Sequence, residues 1–347
     1  MPRMSEILRI RPQAGAPGSL IVIDCQGFDT SDYATCEVLF GETPGRIVSA
    51  SPERVLVTVP DDATERDRPT DVQLVSSGKA SARAPFCIAK RLAENLHPVA
   101  NPAYDPETDA IFTTISGARG KKVEVSVWRI GADGKATPFL DNIMNPTGLA
   151  FDRDGTLYIT SRHDGILYRI SPFREVVPFA ENLGIATGLA IDRAGNLFVG
   201  DRQGVIYRVT PLGDVTPHAR LEASLAAYHL AFSPDGNLYV TAPTTAGTRE
   251  AVYRVTPTGK VERWHVGLGR PQGLAFDQAG NAYVCASLDG LRGVVKITPD
   301  GRDAELFIAG TRLVGLAFDG KGAAILASNH EIYRVSVGVI GYDPSRA

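Results

Sequence analysis

The sequence of 347 residues predicts an all-β protein, and three observations carry that reading. Short segments rich in β-branched and aromatic residues alternate with turn residues along the chain. From about residue 90 to the end, groups of such segments recur at a near-constant interval. From about residue 5 to 89 the same texture continues without that interval. The chain therefore divides into a small β-sandwich over 5–89 and a repeat structure over 90–347.

In the first part, Pro12 to Gly18 is a turn-rich opening, Leu20 to Ile23 a strand, and Gly27-Phe28 the start of a loop. Cys36 to Gly41, Val55 to Pro60, Asp71 to Val75 and Ala84 to Ile88 supply further strands. Short strands with turns every ten or so residues indicate a sandwich. Asp61 to Asp67 is a charged stretch that reads as a solvated loop. The four cysteines, Cys25, Cys36, Cys87 and Cys285, are too scattered for a disulfide framework or a zinc site. Cys25 and Cys36 fall on what read as adjacent strands and could be bridged; buried free thiols are the favoured alternative.

The repeat is clearest from Pro146 to Asn182. Gly148 to Asp152 forms a first strand, Asp154-Gly155 a tight turn, Leu157 to Thr160 a second strand and Ile166 to Ile170 a third. Pro172 ends the third, because proline cannot donate to a sheet ladder, and Val176 to Ala180 is the fourth. The place of Gly148 recurs at Gly188, His229, Gly273 and Gly315, at intervals of 40 to 44 residues, and a weaker copy has Asn101 to Asp105 in register. The third-strand signature recurs from Trp128-Arg129-Ile130 and Tyr168-Arg169-Ile170 through to Tyr333-Arg334-Val335, six times in all. Four strands per unit at a period near 40 are the mark of a β-propeller blade, so the expectation is a six-bladed β-propeller. Arg91 to Leu96 echoes the end of a repeat, Pro178 to Leu183, and so predicts that residues near 87 to 93 supply the outer strand of the last blade. The competing strand is Val337 to Tyr342.

In such a meander, the second-to-third loops and inter-blade connections share one face. They vary in length and chemistry here, whereas the opposite turns are short and generic, so the variable face is where a site is expected. It collects Arg119, Arg162, Arg202, Arg249 and Arg292 from loops, Arg270 from a connection, and His163, Tyr228, His229, Gln272 and His330 among them. A ring of guanidinium groups would favour an anionic or polyhydroxyl ligand. The alternative is that Asp164, Asp201 and Asp289 pair with these arginines and hold the loops. His229 replaces a glycine that four other repeats keep. It reads either as a spacer narrowing the channel or, were the chain an enzyme, as its general base.

The net charge of -3 gives no bias toward nucleic acid or an anionic membrane, and the loops carry almost no aromatic platform for RNA beyond Tyr228. No run is long and apolar enough to span a membrane, and the N-terminal residues lack an apolar signal core, so the expectation is a cytoplasmic protein.

Two resemblances follow from these residues. The Pro-rich start, Gly27-Phe28, Phe40-Gly41, Val59-Pro60 and the strand near Phe86 resemble IPT/TIG domains, which implies an immunoglobulin-like fold and a docking or spacer role. The runs from Pro146 to Thr160, Ala186 to Gly200 and Pro271 to Cys285 resemble NHL-repeat and senescence-marker-protein/gluconolactonase propellers. The lactonase branch implies a divalent metal held at positions that are Ala100, Thr187 and Gln272 here, none of them the ligand implied; Asp201 and Asp289 could build a different site. Streptogramin-lyase propellers are similar too, with acid-base chemistry for which His229 and His163 could serve, though no Glu repeats in support. Two readings stay open: a binding or interaction protein with no cofactor, recognising a small anionic or polyhydroxyl ligand or a protein partner, and a gluconolactonase-like hydrolase or lyase acting on a small lactone or sugar acid. In the second, His229 would be the base, and Arg162 and Arg202 anion clamps.

Overall fold

The computed structural model describes residues 6–61, 69–171, 173–243 and 250–346, apart from the side chain of Tyr33. Arg249, Pro172 and most of the charged stretch after Asp61 lie outside the described residues. The protein is all-β, built largely of repeated four-stranded antiparallel sheets. No helix among the described residues is long and apolar enough to cross a membrane.

Blade one comprises Ala103–Asp105, Ala110–Thr114, Val127–Ile130 and Ala136–Leu140. Blade two comprises Pro146–Phe151, Leu157–Ser161, Ile166–Ile170 and Val176–Ala180. Blade three comprises Ala186–Ile191, Leu197–Asp201, Val205–Val209 and Val215–Arg220. Blade four comprises His229–Phe232, Leu238–Thr241, Glu250–Val255 and Val261–Leu268. Blade five comprises Leu274–Phe276, Ala282–Leu288, Leu291–Ile297 and Ala304–Ala309. Blade six takes Leu313–Phe318, Ala323–Ser328 and Ile332–Ser336 from the end of the repeat and its outer strand, Lys90–Ala93, from the start. The first strands of successive blades touch in turn, and that of blade six touches that of blade one, so the units close into a ring, as in a six-bladed propeller.

The repeat residues explain this arrangement. A Cβ on Gly148 would lie 2.7 Å from Thr187 O, and one on Gly188 2.5 Å from Tyr228 O, so glycine lets the first strands approach. At the second strand, the Thr114, Thr160 and Thr241 hydroxyls donate to the carbonyls of Thr147, Thr187 and Gln272, one residue before the glycine of the next blade. Asp152 and Asp192 fold the tight turns by accepting from backbone N–H groups two and four residues on. An apolar cluster fills each inter-blade interface; between blades one and two, for example, Phe112, Phe139 and Phe151 meet edge to face.

Residues 6–88 form two facing sheets over a core that includes Ile21, Ile23, Val57, Val38, Leu74 and Phe86. One sheet orders Glu6–Arg11, Leu20–Gln26, Arg54–Thr58 and Ile47–Ser51. The other contains Ala84–Ile88, Pro69–Ser76, Cys36–Phe40 and Thr43–Gly45. Cys25 and Cys36 therefore lie in different sheets rather than on adjacent strands, and the two are not bridged. The supposed turn-rich opening contains a two-residue strand, Ala14–Gly15, which pairs in parallel with Ala84–Ile88 on one side and with the outer strand of blade five on the other. One continuous sheet thus runs from blade five into the small sandwich.

The stretch from Val337 to Tyr342 is not an outer strand. It crosses the tight-turn face, where Tyr342 N donates to Phe276 O at 2.8 Å and Arg193 Nε donates to the Tyr342 hydroxyl at 3.1 Å. With residues to Arg346 it borders a cavity of 330 Å³ lined by the first strands of all six blades.

Candidate functional site

On the face of the variable loops, a cleft of 430 Å³ opens between blades five and six. Arg270 and Gln272 enter it from the connection before blade five, Ser287 and Arg292 from the second and third strands of that blade, and Arg312 and Asn329 from blade six. The blade-five hairpin turns on Asp289 and Gly290, both left-handed, at φ 49° and 82°, which suits a two-residue turn between twisted strands. Arg270 and Arg312 occupy the same place in the repeat, three residues before Gly273 and Gly315, and both are left-handed as well, at φ 50° and 57°. That conformation is unfavourable for so bulky a residue. At the equivalent place in blade two stands Asn145, φ 46°, whose amide bonds the preceding loop at Gly117 O, Ala118 O and Gly120 N.

No carboxylate lines the cleft, and among the described residues none lies within ion-pair distance of Arg270, Arg292 or Arg312. The walls are tied by backbone bonds: Gly310 N donates to Arg292 O at 3.0 Å, and Asn329 N to Arg312 O at 3.1 Å. The Oδ1 atom of Asn329 is buried without a hydrogen-bond partner. Cys285 also lines the cleft, but burial pushes its thiol far above the ordinary range, so it is no nucleophile.

The structure brings together only some of the expected residues. Arg270, Gln272 and Arg292 share the cleft; exposed His330 follows the lining residue Asn329 without lining the cleft itself, its ring 6.1 Å from that of His97, which contacts Asn329 O. Arg162 and Arg202 are instead pinned to backbone: Arg162 Nη2 donates to Gly117 O and Arg202 Nη2 to Leu225 O, each at 2.6 Å. Among the described residues, the alternative pairing of Asp164, Asp201 and Asp289 with arginines is not seen. Asp164 accepts from Tyr168 and Ile166, Asp201 from the N–H groups of Ile185 and Gln203, and Asp289 makes the hairpin turn. Burial, then Arg202 and Arg119 nearby, depress the pKa of Arg162. Arg119 and His163 are exposed on the loops of blades one and two. Tyr228 is not a surface contact: its ring is buried between blades three and four and its hydroxyl donates to Glu222 O. Sequence reasoning missed Arg312 and Asn329. Aligning Arg312-Leu313-Val314-Gly315 with Arg270-Pro271-Gln272-Gly273 exposes the first; the second, in a loop outside the repeat, carries no signal.

His229 is 3% exposed, and burial alone lowers its pKa to about 4. It is therefore neutral at pH 7 and a weak base. A histidine protonating near 6.5 when unfolded but near 4 when folded contributes stability that is intact above the first value and lost as pH falls toward the second. NMR titration is expected to show the His229 ring unprotonated at pH 5, and His229→Phe to flatten the acid limb of stability between those values.

At the positions tied to metal in the lactonase branch, Ala100 is a buried apolar residue, Thr187 Oγ1 donates to Gly200 O, and Gln272 is half-buried. Among the described residues no three His, Cys, Asp or Glu side chains converge as a metal site would require.

No protein-family model and no curated protein matches the chain. Solved structures do. A gluconolactonase from Xanthomonas campestris is 17% identical, covering 72% of this chain and 89% of its own, with a TM-score of 0.60. Regucalcin, a calcium-binding protein from Agrobacterium tumefaciens, is 19% identical over 73% of this chain and 95% of its own, with a TM-score of 0.56. An auxiliary nutrient binding protein from Bacteroides ovatus is 16% identical and spans 98% of this chain and 99% of its own, with a TM-score of 0.53. At these identities the likeness is one of fold: the chain shares its architecture with gluconolactonase-like propeller proteins.

Proposed function

We propose that this protein is a ligand-binding protein whose loop-face cleft takes a small anionic or polyhydroxyl molecule. One observation carries the reading: three unpaired arginines line the cleft, and its lining holds no carboxylate, no histidine and no reactive thiol. Such a lining can orient a ligand by charge-assisted hydrogen bonds but offers no proton acceptor for hydrolysis. His229, as a buried weak base, does not supply one. The likeness to a nutrient binding protein over nearly the whole chain agrees with this reading. The two sheets over 6–88 we read as the IPT/TIG-like module, a docking or spacer element, and the ring as the NHL and gluconolactonase-like propeller. Binding in this reading needs no metal.

Isothermal titration against small acids, phosphates and sugars tests it. Binding at micromolar to low millimolar Kd that survives chelator and weakens about tenfold in Arg292→Gln is the expected result. Turnover of a lactone, lost in His229→Gln and on chelation, would overturn it in favour of the hydrolase.

A further inference from the structure

We infer that the cleft between blades five and six is built for a small polyanion, a molecule bearing two or more anionic groups on one short skeleton. This rests on the reading of that cleft as the ligand site and narrows its chemistry. Three arginines converge there, and among the described residues no carboxylate neutralises any of them. One carboxylate or phosphate engages one planar guanidinium fork fully, or shares two. A monoanion would leave like charges facing each other across the cleft, which is unfavourable once water is displaced. Two or three anionic groups match the lining.

The geometry supports more than one anchoring point. Arg270 and Arg312 stand at equivalent positions of adjacent blades, related by one step of the ring, and each keeps a left-handed backbone that an asparagine or glycine would adopt more easily. Arg292 comes from a different element, the third strand of blade five. The three cations thus approach from three segments rather than forming one patch. The cleft volume of 430 Å³ falls at the small end of the usual range of small-molecule sites, about 300–1,000 Å³.

Hydroxy polycarboxylates and sugar phosphates share this chemistry, and the experiment separates them. Binding of citrate, succinate, acetate, glucose 6-phosphate, inorganic phosphate and glucose is measured by titration calorimetry at constant ionic strength, with Arg270→Gln, Arg292→Gln and Arg312→Gln alongside. The expected result is that citrate or glucose 6-phosphate binds at least tenfold more tightly than acetate and glucose. Each variant is expected to lose about tenfold or more for that polyanion while keeping the wild-type melting temperature. Preference for citrate and succinate over glucose 6-phosphate assigns a polycarboxylate; the reverse assigns a phosphate ester. Acetate or glucose binding as tightly as any polyanion, with the arginine variants weakening it, overturns the polyanion inference and leaves the cleft as the ligand site. Binding of a polyanion that all three variants leave unchanged, or no binding by any probe, overturns both.

Discussion

Gly315→Ala is expected to destabilise the protein by about 3 kcal/mol, the upper end for overpacking a close contact. A Cβ at that position would stand 2.2 Å from Ala100 O and 2.8 Å from Asn101 Cα. Both obstacles are backbone, so no rotamer change relieves them. The contact lies where the first strand of blade six meets the segment leading into blade one, and relief would mean opening the ring. Urea denaturation with a shared m-value measures the effect; a midpoint equal to that of the native protein would mean that the two blades pack less closely than described.

Arg334→Met is expected to cost a similar amount, for an electrostatic reason. The Asp319 side chain is fully buried and accepts from Lys321 N at 2.8 Å, from Ala323 N at 2.9 Å and from the Arg334 guanidinium. Arg334 also approaches Asp109, which bonds Tyr104 and Lys321. Removing the cation leaves a buried carboxylate without its counter-charge, a loss of about 3–5 kcal/mol for pairs of this kind. The double variant Asp319→Asn with Arg334→Met is expected to recover much of that loss. If the two single changes instead add in a double-mutant cycle, the pair is not coupled.

The ring was legible because its residues are periodic. Glycine spacing, the Tyr-Arg-Val third strands and the echo at Arg91 to Leu96 all answer to one repeating interface. Segments without that interface were harder to read. Glu6–Arg11 and Ile47–Ser51 are largely exposed and lack the apolar alternation that marks a half-buried strand. Ala14–Gly15 is too short for any period to show. At the candidate site, the variable-loop face followed from topology, but convergence did not: Arg162 and Arg202 were spent on neighbouring carbonyls, Tyr228 turned into the core, and Arg312 was hidden in the repeat. Two of the carboxylates that could have paired with arginines, Asp164 and Asp201, went instead to backbone N–H groups, which lie nearer in sequence and cost less side-chain ordering.

The pairing of Lys90–Ala93 with Ile332–Ser336 also has a consequence for biosynthesis. Blades one to five can each complete their hydrogen bonds from contiguous chain as it leaves the ribosome, while blade six has to wait for the last of its strands. Until then its waiting outer strand and the first strand of blade one lack their neighbours. Ring closure is therefore a late, non-local event, and the nascent chain carries open edges that invite chaperones or mispairing until the final strand arrives.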